Sequence, residues 1–444
     1  MTAGSAARRA LSCTTLALGC VVAACVLPDI SLAGKKCPCA LDHFCDPETN
    51  TCVFAAPGGH SGGGGDAGGG GEGGGGGPEL PLANPLVHAG ANELQSLHVD
   101  NLFLVEITED EEFLIETYFD LKSEPNTDLL ADNAPLTDVM QVKVPSELEY
   151  WGAGEIENVT ITPVDRLPVS FGYRLRGEYP DPSLVAILDY TVFASGKIAV
   201  HQAIENQSAD VVEIEDSEYN FTRVSDVFDP GWSFPSLAPD HFWWWKRAIG
   251  EQPRPTLLSV NRSDEIPSKL NDDHNCYWQS GGVSLASGST LTRFGTIHLS
   301  LHDVGDEELA AIADDDRSAR VETVVGGMVP DDDDDDGFDE VSGYFTAISA
   351  GGPLTVLLTP GTARRVAPAF EIQSWQTSDF RIRLGDQVLI TSDMSDPAGG
   401  PGLVGYGMLA RHVAADQRLY FIYLGNIEDT LSPADRTFTI EENL

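Results

Sequence analysis

The sequence predicts a mainly β protein, built of antiparallel β-sandwiches, one large or two packed together, behind a disordered glycine-rich N-terminal tether. Period-two alternation recurs from about residue 81 to the end, turn residues separate the alternating runs, and only one helix is credible. Long alternation with almost no helix argues for sandwiches and against a doubly wound parallel sheet. The strand runs are "EFLIETYFDL" (112 to 121), "MQVKV" (140 to 144), "NVTITPV" (158 to 164), "VSFGYRLRGEY" (169 to 179), "LDYTVFA" (188 to 194), "KIAVHQAIE" (197 to 205), "TIHLSLH" (296 to 302), "FRIRLGDQVLI" (380 to 390) and "RLYFIYLG" (418 to 425). Ser195-Gly196 and Gly385-Asp386 mark tight turns. The helix is "DEELAAIADDDR" (306 to 317), with acidic residues at the end where the helix dipole favours them.

The chain has 444 residues, long for one domain, and 42% hydrophobic residues, enough for a sizeable core. Its 69 acidic and 26 basic side chains leave a formal net charge of −43. Such a surface repels nucleic acid and anionic headgroups and attracts cations. No nucleic-acid partner is expected.

The N-terminus reads as an export signal over residues 1–24. Arg8 and Arg9 form its basic start, and "ALSCTTLALGCVVAA" is an apolar segment too short to span a bilayer. Val22-Ala23-Ala24-Cys25 resembles the lipobox of bacterial lipoproteins. The resemblance implies a mature chain that begins at Cys25 and meets the membrane through an N-terminal lipid. Val26, where an aspartate would signal inner-membrane retention in some bacteria, points to the outer membrane or cell surface. An ordinary secretory signal cut nearby is the alternative.

Residues 25–56 hold Cys37, Cys39, Cys45 and Cys52 in "KKCPCALDHFCDPETNTCVF". In an exported chain this spacing reads as two disulfides stapling a mini-module too small for its own core, with open connectivity. Zinc is the alternative, and the C-x-C opening lacks the usual chelate loop. "CDPETNTCV" resembles short cysteine-rich modules that follow the signal in some bacterial surface proteins. Residues 57–80 follow as a linker in which "GGHSGGGGDAGGGGEGGGGG" places 15 glycines in 20 residues. Such a run behaves as a flexible tether reaching about 25 Å. The polar stretch from 250 to 282 divides the rest into β-rich regions 81–270 and 271–444.

Three stretches invite chemistry. In "PDDDDDDGFDE", Asp332, Asp334, Asp336 and Gly337 match the opening of a calcium loop. Position twelve is Gly343 in place of the bidentate glutamate, so the EF-hand pattern fails, and a looser calcium site would use Asp339 or Glu340. A solvated acidic loop is the plainer reading. In "TIHLSLHDVGD", alternation sets His298 and His302 on one polar face, with His201 a candidate to join them in binding metal or moving protons. Water alone is the commoner partner of such a face.

In "PDHFWWWKRAIG", a strand puts Trp243 and Trp245 on one face and Trp244 on the other; a short helix capped by Asp240 is the alternative. Trp243 with Trp245 is a candidate sugar-stacking surface, and core burial is the competing expectation. "GYRLRGEY" offers Tyr173, Arg174 and Arg176 for eliminative cleavage of an acidic polysaccharide. No H-E-x-x-H or nucleotide loop is present, and no G-x-S-x-G stands outside the glycine run.

The paired runs "LDYTVFASGKIAVHQAIEN" (188 to 206) resemble the large β-sandwiches of galactose-mutarotase-like and polysaccharide-lyase-type proteins. The resemblance covers about 20 residues and carries over no catalytic position. The expected function is a lipid-anchored envelope protein whose sandwich binds carbohydrate or another surface component without cleaving it. A polysaccharide-degrading enzyme and a structural envelope protein without a ligand are the alternatives.

Overall fold

The computed structural model describes the strands His43–Asp46, Thr51–Phe54, Val87–Ala89, Leu94–Val99 and Phe103–Thr108, and then most of the chain from Ile115 to residue 443. The longest stretches left out beyond Ile115 are 224–241 and 392–401. The signal segment, Cys25, Cys37, Cys39, the glycine run, Asp332 and Asp334 lie outside the described residues. Two compact units divide the chain, Met1–Gly74 and Gly75–Leu444. In the first, the antiparallel strands His43–Asp46 and Thr51–Phe54 set Cys45 directly opposite Cys52.

In the second unit each of the alternating runs contains a strand, and the architecture is mainly β as the periodicity predicts. Its largest sheet has seven strands: β1 (Glu157–Arg166), β2 (Ser170–Glu178), β3 (Leu184–Phe193), β4 (Lys197–Asn206), β5 (Trp243–Arg247), β6 (Pro255–Asn261) and β7 (Thr290–His302). They lie in the order β5-β6-β7-β4-β3-β2-β1, all antiparallel. Gly196, at φ 80, closes the β3–β4 turn.

One face of this sheet is apolar. Tyr173, Leu175, Leu188, Tyr190, Val200 and Ile297 project from it onto Ile214, Tyr219 and Trp278 of a four-stranded sheet. Burial of each such side chain contributes about 1.5–3 kcal/mol. Phe103, Val105 and Tyr118 extend the same core from a five-stranded sheet between Val87 and Asp128.

A second sandwich follows. Its five-stranded sheet contains Val321–Val325, Leu354–Leu358, Phe380–Leu384, Gln387–Thr391 and Thr437–Glu442. A seven-stranded sheet faces it, with one parallel pairing between Tyr344–Ser349 and Ala369–Gln373. Phe345, Phe370, Phe421 and Phe438 fill the space between, with Phe370 and Phe421 stacked at 4.6 Å.

The division expected between 270 and 271 does not separate the sandwiches. Strand Ser268–Asn271 straddles it, and Asn275–Leu285 and β7 beyond it pair with strands of the first sandwich. The polar stretch misled because it also holds the whole of β6, buried along its length. The change of sandwich comes instead at the predicted helix, α1 (Asp306–Ser318), after which the described strands form the second sandwich, apart from a separate two-stranded pair of Arg365–Val366 with Asn426–Ile427.

The second sandwich covers one end of the outer face of the large sheet. Ser170 and Tyr344 share a 2.5 Å hydrogen bond, Arg411 pairs with Asp165 at 2.8 Å, and Gly343 sits against Ala199 and Phe193. Gly343 has φ +74, and a Cβ there would lie 2.5 Å from the Ala199 Cβ. Gly343→Ala combines a left-handed backbone with overpacking, so a loss of about 2–3 kcal/mol is expected in urea unfolding. A variant as stable as the parent would mean that this junction is loose.

Candidate functional site

Beyond the junction the outer face of the large sheet carries a polar row. Antiparallel register places Thr162 of β1, Arg174 of β2, Asp189 of β3, His201 of β4 and Phe294 of β7 side by side across five strands. Asp189 joins its neighbours: Arg174 Nε donates to Oδ1 at 2.5 Å, and Oδ2 lies 2.9 Å from His201 Nδ1. Phe294 stacks on the imidazole at 5.0 Å and 19°. The ring is thus held on one side by a carboxylate and on the other by an aromatic face.

His201 keeps 9% exposure, and Nε2 has no hydrogen-bond partner among the described residues, nor is it sealed from solvent. With Nδ1 turned to a carboxylate, Nε2 is the nitrogen left to meet a ligand. One register step along, Arg176 reaches Glu205 at 2.6 Å. That hydrogen bond holds Glu205 below the usual carboxylate range against the opposing effect of burial. The arrangement alternates fixed donors and acceptors beside a ring, and each cation is matched by an anion.

The sequence-predicted residues fall elsewhere. Trp243 to Trp245 form strand β5, as the alternation favoured. Trp243 and Trp245 stack at 5.0 Å, but they are 7% and 3% exposed beneath α1, packed with Leu258, Val260, Leu309 and Ile312. Trp244, 1% exposed, enters the main core from the other face. The rings face protein, and an open sugar-stacking surface is absent at these positions.

His298 and His302 do not share a solvated face. A bulge between β6 and β7 sets three steps of β7 against two of β6, which reverses the alternation. Ile297 and Leu299 therefore join the main core while Leu301 packs with Trp243 and Trp245. His302 Nε2 lies 2.5 Å from Asp120 Oδ2, and the buried His298 Nε2 lies 3.6 Å from Asp316 Oδ2. Tyr173 points into the core, away from Arg174 and Arg176.

Two of the acidic loop's described carboxylates, Asp336 and Asp339, bond within the loop. Asp336 Oδ1 accepts from the Phe338 amide at 2.7 Å, and Asp339 accepts from the Val341 amide and from the Ser342 hydroxyl, at 3.0 and 2.6 Å. Glu340 Oε1 faces Arg262 at 3.5 Å. Among the described residues no group of three or more His, Cys, Asp or Glu is placed to hold a metal, and no helix is long and apolar enough to cross a membrane.

A second polar cluster sits on the four-stranded sheet. Tyr150 donates to Asp216 Oδ2 at 2.8 Å, and Gln279 bonds the same carboxylate. Burial first, and the Asp216 charge second, push Glu218 up to about 7 from 4.5. Because the folded state favours the protonated form, stability falls as pH rises from 4.5 through 7, by about 3 kcal/mol at most. Glu218→Gln is expected to match the parent at pH 4.5 and exceed it at pH 8 in urea unfolding. Equal stability at both would show that Glu218 ionises freely.

No protein-family model and no curated protein matches the sequence. Solved structures that are similar include a polysaccharide lyase at 9% identity and TM-score 0.32, covering 74% of this chain and 43% of that one. Heparan sulfate lyase HepC from Pedobacter heparinus matches at 6% identity and TM-score 0.33, over 62% and 41%. Galactose 1-epimerase from Lactobacillus acidophilus matches at 7% identity and TM-score 0.27, over 48% and 98%. The chain spans less than half of either lyase. These are the groups that the 188 to 206 hairpin resembles, and TM-scores this low carry no functional inference.

Proposed function

We propose that this chain is a lipid-anchored cell-envelope protein whose large sheet binds carbohydrate along the row from Thr162 to Phe294 without cleaving it. The row itself carries the reading: Arg174, Asp189 and the free Nε2 of His201 offer fixed hydrogen-bonding groups beside Phe294. Sugar hydroxyls are recognised by such polar groups set beside an apolar ring face. The anchor rests on Cys25 and its lipobox-like context, and the glycine run would hold the sheet clear of the membrane.

Binding is favoured over glycosidic hydrolysis because Asp189 and Glu205 are each tied to an arginine, and Glu178, on the same face two strands from Glu205, is held by the Asn158 amide. Asp189 pairs with His201, and Glu205 lies four residues further along β4, roughly 13 Å away by strand rise. Hydrolysis asks for two carboxyl groups about 5–9.5 Å apart. One second reading has an observation behind it. Arg174 and His201 on one row would suit eliminative cleavage of an acidic polysaccharide, the arginine neutralising the uronate and the imidazole taking a proton.

A glycan array followed by end-group analysis of the bound sugars separates the readings. Binding with intact glycans is expected. New unsaturated ends would transfer the chain to the lyase reading, and silence on every glycan would leave a structural envelope protein.

A further inference from the structure

We propose that the ligand of the row is an uncharged oligosaccharide lying across the strands beside the second sandwich, and that chains of uronic or sulfated sugars are rejected. The inference deepens the carbohydrate reading of the row and rests on it.

Register sets the direction. The row takes one residue from each of β1, β2, β3, β4 and β7, so it crosses four strand spacings, about 19 Å, long enough for about four linked sugar rings. The second sandwich borders the sheet along the same direction. Its Arg411 meets Asp165 at the end of β1, and its Tyr344 meets Ser170 of β2. Gly343 packs on Phe193 of β3 and Ala199 of β4, and Glu340 faces Arg262 just beyond β6. Two residues from the row on this side, the aligned Thr191, Ala199 and Thr296 are buried. A chain laid along the strands would run into this border within a few residues, whereas a chain laid across them runs beside it.

Charge sets the class. Arg174, Arg176, Lys197, Arg262 and Arg411, which lie along the row and its border, each have a carboxylate within 3.5 Å: Asp189, Glu205, Asp316, Glu340 and Asp165. Arg166 is turned into the junction, over the rings of Tyr344 and Tyr420. On the face itself Glu178 adds a carboxylate held by the neutral Asn158 amide, so Asp189, Glu205 and Glu178 outnumber Arg174 and Arg176. Asp189 and His201, at 7% and 9% exposure, are fixed to each other and cannot swing aside. An anionic sugar could reach Arg174 only beside the Asp189 carboxylate, and the formal charge of −43 repels it on approach. Sugar hydroxyls donate to carboxylates and accept from guanidinium groups, so a neutral ring uses both partners of each pair without separating them.

The test is equilibrium titration of the full mature chain with two sets of probes. The first is neutral gluco-, manno-, galacto- and xylo-oligosaccharides of one to six rings. The second is oligogalacturonates, oligoguluronates and oligoglucuronates, each as the free acid and after reduction of its carboxyl groups to alcohols. Affinity is expected to rise with ring number and level off at about four rings, and to change little between about 20 and 500 mM salt. Each free acid should bind at least about tenfold more weakly than its reduced partner, and Asp189→Asn, which releases Arg174 and keeps a polar group beside His201, should narrow that gap. Free acids that bind as tightly as their reduced partners, a single ring that binds as tightly as four, or a gap that Asp189→Asn leaves unchanged would each overturn this inference and leave carbohydrate binding in place. Silence from every probe would overturn the carbohydrate reading and this inference together.

Discussion

Asp316→Ala is expected to lower the unfolding free energy by about 3–5 kcal/mol, because it strands a buried ammonium. Lys197 Nζ lies 2.8 Å from Asp316 Oδ1, and both side chains are almost fully enclosed between β4, α1 and the second sandwich. Arg262 donates to the Asp316 carbonyl, its guanidinium lies 3.8 Å from the Phe338 ring centre, and Lys197 faces the same ring. Burial opposes the Asp316 charge, yet Lys197, His298 and Arg262 hold its carboxyl well below the ordinary value. The stabilisation is therefore present above pH 3.8 and fades only as pH falls towards the lower folded value. Chemical unfolding of Asp316→Ala at neutral pH checks the size. The double variant Lys197→Met/Asp316→Leu should recover most of the loss, since a well-packed apolar pair tolerates burial that a lone charge does not. A single variant within 0.5 kcal/mol of the parent, by about the scale of a surface change, would contradict the assignment.

Trp244→Ala is expected to cost about 3–5 kcal/mol through the cavity it leaves in the main core. Trp243→Ala should destabilise the α1 layer by a comparable amount, since its ring stacks on Trp245 and packs beside Leu258. Thermal unfolding of both variants measures the loss. Neither conservative replacement, Trp243→Phe or Trp245→Phe, should change carbohydrate binding, because these rings face protein. A Trp243→Phe chain that folds normally and loses sugar binding would return the tryptophans to the ligand site.

The strands were legible because alternation with a period of two is a local property. "TLLSV" within β6 was less so, since a strand buried on both faces loses the alternation. The pair Asp189 and His201 was within reach: the tight turn at Ser195-Gly196 fixes the β3–β4 register and sets the two opposite each other. Phe294 was not, because its strand arrives about 90 residues later with nothing local to announce its register. The same limit explains the histidines. A bulge of one residue on β7 undid a correct alternation, and the partners of His298 and His302 come from α1 and from a strand 182 residues earlier.

The tryptophans repeat that lesson. Their assignment to a strand followed from the surrounding pattern, while the cover over Trp243 and Trp245 comes from Leu309 and Ile312, more than 60 residues onward. Polar residues inside apolar strands were the better pointer to the site: Arg174, Asp189 and His201 each interrupt a run whose neighbours are core. The buried ion pair of Lys197 with Asp316 had no local signal, since each lies in a stretch that reads as ordinary surface.

Equilibrium titration of the full mature chain with the glycan that binds best, repeated on His201→Ala and Arg174→Ala, tests the central claim most directly. Each truncation removes one or two hydrogen bonds worth about 0.5–1.5 kcal/mol each, so binding should weaken by about two- to 150-fold in each variant, with the fold intact. Affinity unchanged in both variants would contradict the account and place the ligand elsewhere on the molecule.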